Sequence, residues 1–288
     1  MTARWHVLCV QVPDALDDEI AAVLGTGSLG VEVVAFRPGM TELRVYLGPE
    51  QDAGVWRERA VQVLSAHGLP VAALAPAIDP VADGRWVERW QASLSPIPLG
   101  RHFVVLATGA ASDHGGREPI RLIPGMAFGT GEHETTRLCA TAVEQRVTSG
   151  SHWLDLGTGT GLLAIVAARC GASRVLAVDT DPEAVAVASE VLAANVAGDA
   201  VEVRVGSIDE RRGETFDGVV ANIQSSFFIA NAGAIAGALV NGGVLIASGF
   251  LVDDVDEIAA ALSAASFRVE ARASEGPWAC LQLLRGER

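Results

Sequence analysis

The chain has 288 residues, enough for one large or two ordinary domains, and half of them are hydrophobic, enough for a full core. Its net charge is −14, from 35 acidic against 21 basic side chains, so a nucleic-acid phosphate backbone is a poor partner, since binding one needs clustered cations. Every basic residue is Arg and there is no Lys; an acidic surface suits a basic protein substrate, although it also simply keeps a chain soluble. Cys9, Cys139, Cys170 and Cys280 lie far apart with no metal spacing and no paired framework. They read as buried thiols in a reducing compartment, and with no cleavable signal pattern at the N-terminus a cytoplasmic location is expected.

Residues 1–78 alternate strand and helix patterns. Trp5 to Val12, Val31 to Phe36, Glu42 to Leu47 and Val71 to Ile78 read as strands, and Asp14 to Leu24 and Gln51 to Ala66 as helices. That β-α-β-β-α-β order predicts a small ferredoxin-like α+β domain. It holds no catalytic cluster, and Asp14, Asp17, Asp18 and Glu19 read as helix N-terminal acids ahead of a docking face. Residues 79–95 read as a connector helix, with Trp86 and Trp90 on one face.

Residues 96–288 carry two strand-like pieces, Phe103 to Leu106 and Pro119 to Ile123, around a Gly/Ser/Asp-rich loop at 109–116. From Thr135 onward β-α units repeat, with strands near 153–156, 174–178, 201–205, 217–221 and 243–248. This predicts a doubly wound, Rossmann-like parallel α/β sheet covered on both faces. Phe267 to Arg272 and Trp278 to Leu284 read as a strand pair closing one edge. No residue from Gly218 to Val252 is charged, yet Asn222, Gln224, Asn231 and the Asn241-Gly242-Gly243 turn interrupt that stretch, so no membrane span is expected.

Chemistry concentrates between 152 and 182. An apolar strand runs into Gly157, Gly159 and Gly161, an apolar helix follows, and the next strand ends in Asp179. Glycines permit backbone angles closed to other residues and let a ligand approach the main chain. The helix start offers unpaired N–H groups, and a carboxylate at the neighbouring strand tip suits a ribose diol. A dinucleotide fingerprint would need a third glycine at position 162, which is Leu; the spacing G-x-G-x-G after Asp155 resembles the S-adenosylmethionine loop of class I methyltransferases.

Two further markers flank this core. The segment Pro124 to Thr136 reads either as a lid feeding a Thr-Thr helix cap or as a connector with a capped helix. Within it His133 fits a structural imidazole, a pocket wall or a proton carrier. Asn222 ends an apolar strand, where it fits either an amine-positioning amide or a turn-forming residue. Ile223, Gln224 and Ser225 follow it and offer no ring to stack on a base.

Taken with Ser95 to Gly100, the Ala247-Ser248-Gly249 strand end and Gly276-Pro277-Trp278, these motifs resemble the PrmA methyltransferases, which modify ribosomal protein L11, over nearly the full length. The segment Ala127 to Thr136 is the most specific piece. The resemblance implies S-adenosylmethionine contacted by Thr136, Gly157, Asp179 and Asn222, with Gly159 in the same turn. It implies N-methylation of lysine or N-terminal amino groups of a basic ribosomal protein, by a monomer, with the N-terminal domain recognising that substrate. Asn222 would position the amine, and His133 is a candidate proton carrier. The chain departs from the family pattern at Glu132, Glu134, Gln224 and Ser225. Those departures leave two alternatives, another protein substrate or a cofactor-binding module without activity.

Overall fold

The computed structural model describes residues 5–25, 28, 30–48, 51–69, 77–81, 96–107, 115–122, 131, 133–196 and 199–286. The chain divides into two units. One comprises Met1–Leu94 with Ala107–Ala110 and Ile123–Phe128; the other comprises Ser95–Leu106, Ala111–Leu122 and Gly129–Arg288.

In the first unit the elements are β1 (Trp5–Pro13), α1 (Asp17–Gly25), β2 (Gly30–Arg37), β3 (Met40–Leu47), α2 (Ala53–Ala66) and β4 (Ala77–Val81). The sheet order is β2-β3-β1-β4, antiparallel at the pairings of β1 with β3 and β4 and of β2 with β3. This is the ferredoxin-like arrangement read from the pattern. Alternation along β1 and β3 puts Leu8, Val10, Val12, Leu43, Val45 and Leu47 on one face, where they bury against Ile20, Leu24, Trp56, Ala60 and Leu64 of the two helices. The last strand lies at 77–81, later than the expected 71–78; residues 71–76 lie outside the described ones. Pro80 falls inside it, opposite His6, because β4 is an edge strand and needs no ladder N–H on its open side. The first helix starts at Asp17 after a 3-10 turn at Asp14–Leu16, and the Thr41 hydroxyl donates to Asp14 (2.8 Å) and Asp17 (3.2 Å). Those two carboxylates therefore fasten a helix start to β3. The expected connector, Trp86 and Trp90 included, lies outside the described residues apart from its first strand positions.

The second unit opens with a three-stranded sheet, β5 (Ile97–Leu99), β6 (Phe103–Ala107) and β7 (Glu118–Leu122). It continues with α3 (Glu134–Arg146), β8 (His152–Leu156), α4 (Leu162–Arg169), β9 (Arg174–Asp179), α5 (Pro182–Asn195), β10 (Val201–Val205), β11 (Phe216–Asn222), α6 (Ser225–Ala238), β12 (Leu239–Leu251), α7 (Val255–Ala264), β13 (Phe267–Glu275) and β14 (Trp278–Arg285). Strands β8 to β14 form one sheet of order β10-β9-β8-β11-β12-β14-β13. The first five are parallel, and β14 and β13 add antiparallel at one edge. Chain order reverses between β8 and β11, which opens a crevice at the carboxyl ends of those strands.

The central strands are apolar along their length because helices cover both faces. Leu154, Leu156, Leu176, Val178, Val219 and Ala221 are all fully or almost fully buried; each large side chain among them contributes about 1.5–3 kcal/mol. Asn241, Gly242 and Gly243 were expected as a turn before the fifth strand, yet β12 begins at Leu239. They form an irregularity within it, where the pairing jumps from Phe216↔Leu239 to Gly218↔Val244. Side chains of three helices clasp the small sheet by its main chain. Glu144 accepts from the N–H groups of Arg101 (2.7 Å) and His102 (3.0 Å), and Asn195 accepts from Arg121 N–H and donates to its carbonyl, both at 2.7 Å. Arg169 donates to the carbonyl of Pro119 at 2.8 Å. Among the described residues no helix is long and apolar enough to cross a membrane.

Candidate active site

The turn after β8 takes its shape from three glycines in the left-handed region, with φ of 73° at Gly157, 53° at Gly159 and 79° at Gly161. Only glycine adopts that run without strain. Gly157 and Thr158 donate to the carbonyl of Val178 (2.9 and 3.0 Å), which folds the turn back over β9. Gly161 then caps α4 without a side chain, so no cap side chain meets the first N–H groups of that helix.

Asp179, at the tip of β9, accepts from Gly159 N–H through Oδ2 (2.9 Å) and from Asp181 N–H through Oδ1 (3.1 Å). Each of its oxygens keeps a second lone pair. Asp181 in turn caps α5 by accepting from Glu183 N–H at 2.9 Å, with Pro182 at the first helical position.

On the other side of the crevice Asn222 ends β11. Its Nδ2 donates to the hydroxyl of Thr136 (3.4 Å), and its buried Oδ1 has no hydrogen-bond partner among the described residues. Thr136 is itself buried, in the first turn of α3. The turn after Asn222 is fixed by the N–H of Ile223, which donates to Ser248 of β12 at 2.9 Å. Gly249 follows with φ of 94°, and a Cβ there would stand 2.6 Å from the nitrogen and oxygen of Ile223. Any side chain at 249 would push away the main chain that aims Asn222. Ile223 also closes on the glycine turn, since a Cβ on Gly157 would lie 3.1 Å from its Cγ1. Thus Thr136, Gly157, Gly159, Asp179 and Asn222, which the sequence singles out, converge on one crevice at the strand ends.

His133 stands immediately before α3. It is the N-cap of α3, where its Nδ1 accepts from Thr135 N–H (3.3 Å) and lies 2.8 Å from the Thr135 hydroxyl. Its ring meets Trp278 edge-on, with centroids 4.6 Å apart. The cap expected from the Thr-Thr pair is therefore supplied by the histidine before it. One turn further on, Arg137 donates to Glu275 at 2.6 Å, so the start of α3 is fastened to the β13–β14 end. The rest of the expected lid, including Phe128 and Glu132, lies outside the described residues. Gly131 is described: a Cβ there would lie 3.1 Å from Val105 Cγ2 and 3.5 Å from Leu162 Cδ2, the residue after the glycine turn.

One residue of the site had no role assigned from the sequence. Asp155 is 1% exposed beneath the glycine turn, and its Oδ2 accepts from the Thr158 hydroxyl (2.7 Å) and Ala164 N–H (3.1 Å). Its Oδ1 has no partner among the described residues. A carboxylate inside an otherwise apolar strand was the available signal, because such groups are rarely buried without a task. Burial pushes this carboxyl from 3.8 up to about 7; the two hydrogen bonds pull it down and Asp179 pushes it further up. A folded value above the unfolded one means the folded chain holds a proton that the unfolded chain gives up. The stabilisation is therefore complete below about pH 4 and is lost as pH rises through about 7. Asp155→Asn keeps an acceptor for Thr158 and Ala164 while removing the titration. It is expected to flatten the fall in Tm between pH 4 and 7, and equal slopes in the two proteins would contradict this account of Asp155.

The cysteines also rearrange the sequence picture. Cys9 and Cys170 are only half-buried, whereas Cys139 of α3 and Cys280 of β14 are buried. The neighbouring Cys280 thiol, together with burial, pushes the Cys139 thiol well up.

A family model described as ribosomal protein L11 methyltransferase (PrmA) matches residues 9–286. A protein of that name from Heliobacterium modesticaldum is 40% identical over 199 residues, which cover 68% of this chain and 62% of the relative. Another, from Geobacter sulfurreducens, is 34% identical over 301 residues, covering 98% of both chains. Among solved structures, the ribosomal protein L11 methylase from Lactobacillus delbrueckii subsp. bulgaricus superimposes with a TM-score of 0.62 at 29% identity, over 67% of this chain and 99% of that one.

Proposed function

Because the chain belongs to the PrmA family of ribosomal protein L11 methyltransferases, we propose that it transfers methyl groups from S-adenosylmethionine to lysine or N-terminal amino groups of ribosomal protein L11. In this reading it works in the cytoplasm as a monomer, without binding nucleic acid. The observation that carries it is the buried Oδ1 of Asn222, an acceptor without a partner among the described residues, on an amide held by Thr136. A buried carbonyl in that state costs about 1–3 kcal/mol unless a ligand donor meets it.

The residues fit the cofactor. The positive-φ turn at Gly157 and Gly159 would bring main chain to the cofactor, Asp179 would take the ribose diol with its remaining lone pairs, and Thr136 and Asn222 would line the side near the methyl group. When bound, S-adenosylmethionine would supply a methyl group on a sulfonium, an electrophile for a neutral amine with the thioether sulfur as leaving group. The protein's share is orientation. Asn222 Oδ1 accepts one N–H of a neutral amine and so turns the lone pair toward the methyl carbon. An α-amine, titrating near 7.7–8.0, reaches that neutral form more readily than a lysine near 10.4. The proton leaves to water, and His133 serves as the helix cap that sets Thr136.

Asp179→Ala is expected to weaken S-adenosylmethionine binding by roughly 1.5–3 kcal/mol, the size of hydrogen bonds to a charged group. Calorimetry on a variant of unchanged Tm reads this directly. Unaltered affinity would remove Asp179 from the ribose site.

A further inference from the structure

At the carboxyl end of β12 the chain leaves two consecutive apolar residues in solvent, Leu251 at 41% and Val252 at 47% exposure. Their backbone is tied down. Leu251 N–H donates to Asp254 (3.3 Å), Val252 N–H donates to the carbonyl of Pro277 (2.8 Å), and Leu251 pairs with Trp278 in the sheet. Exposed Pro277 and half-buried Trp278 extend the same apolar step. Carboxylates border it: Asp253, Asp256 and Glu257 are exposed, and among the described residues only Asp256 of the three meets a cation, Arg272 at 3.3 Å. The step continues the candidate site, because Ser248 of the same strand pairs with Asn222. Three residues of strand separate Ser248 from Leu251, about 10 Å.

Resting on the function proposed above, we infer that Leu251, Val252 and the carboxylates of Asp253 and Glu257 form the docking surface for the stretch of ribosomal protein that flanks the target amine. The occupant is a cationic peptide segment carrying an apolar side chain. A segment whose target amine arrives as an ammonium, and loses its proton before reacting, meets carboxylates on its way to Asn222. Its apolar residue covers the Leu251–Val252 step, which water otherwise wets. Apolar contact at the centre and charge at the rim divide the work between residence time and encounter. The substrate would thus be read beside the chemistry as well as wherever else it is held.

The test is steady-state kinetics on the full chain with purified ribosomal protein L11 and saturating S-adenosylmethionine. Leu251→Ser/Val252→Ser and, separately, Asp253→Asn/Glu257→Gln are each expected to raise KM for the protein about tenfold. Both should leave kcat, Tm and the Tm gain from S-adenosylhomocysteine unchanged. Val205→Ser, at an equally exposed valine ending the edge strand β10, should change nothing. Unchanged KM in both double variants while the wild type methylates would overturn this surface and leave the proposed function standing. A wild type inactive on the ribosomal protein would overturn both. Variants that instead lowered the mass in solution from dimer to monomer would assign the step to a second copy of the chain, against this inference.

Discussion

Asn222→Ala is expected to lower turnover ten- to a thousandfold at saturating S-adenosylmethionine. The side chain does two things that alanine cannot do. Its Nδ2 ties β11 to Thr136 of α3, and its buried Oδ1 is the acceptor that would hold an incoming amine. Losing one positioning hydrogen bond in a site shielded from water raises a barrier by about 1.4–4 kcal/mol, which sets the range. Cofactor affinity is measured in parallel, because Thr136 loses its partner too. A variant with wild-type turnover would place the amine elsewhere in the crevice.

Removal of residues 1–81 is expected to leave S-adenosylmethionine binding in place and to cut kcat/KM on intact ribosomal protein by about a hundredfold or more, equal to about 2.8 kcal/mol. The buried core around Leu8, Ile20, Leu43 and Leu64 is built within the N-terminal residues, and every described residue of the candidate site lies in the other unit. The shortened chain should therefore still gain Tm from S-adenosylhomocysteine. We propose that the N-terminal domain recognises the protein substrate; full activity on the intact substrate without it would show that it does not.

What the sequence made legible was local. Gly157, Gly159 and Gly161 announce a turn of positive φ because few residues can replace them, and Asp179 and Asn222 stand at the ends of unbroken apolar runs. The doubly wound order follows from repetition of those runs. What remained hidden depended on contacts between distant residues. The bond from Asn222 to Thr136 spans 86 positions, and no periodicity announces it. The same holds for Cys139 and Cys280, which sequence spacing keeps apart and the packing of α3 on the sheet brings together. His133 had three readings because an imidazole is equally suited to each. The geometry around Thr135 and Trp278 adds a capping role that no residue pattern announces. The glycines at 242 and 243 read as a turn because a bulge inside a strand uses the same residues.

The central claim is methyl transfer to an amine of ribosomal protein L11, and mass spectrometry of that protein tests it most directly. Purified L11 from cells lacking this gene is incubated with the enzyme and S-adenosylmethionine, then digested and mapped. The account predicts mass increments of one methyl group each on lysine or N-terminal amines, sharply reduced with Asn222→Ala. Because the enzyme itself contains no Lys, any methyl-lysine found belongs to the substrate. An unmodified L11 in the presence of an enzyme that binds S-adenosylhomocysteine would contradict it.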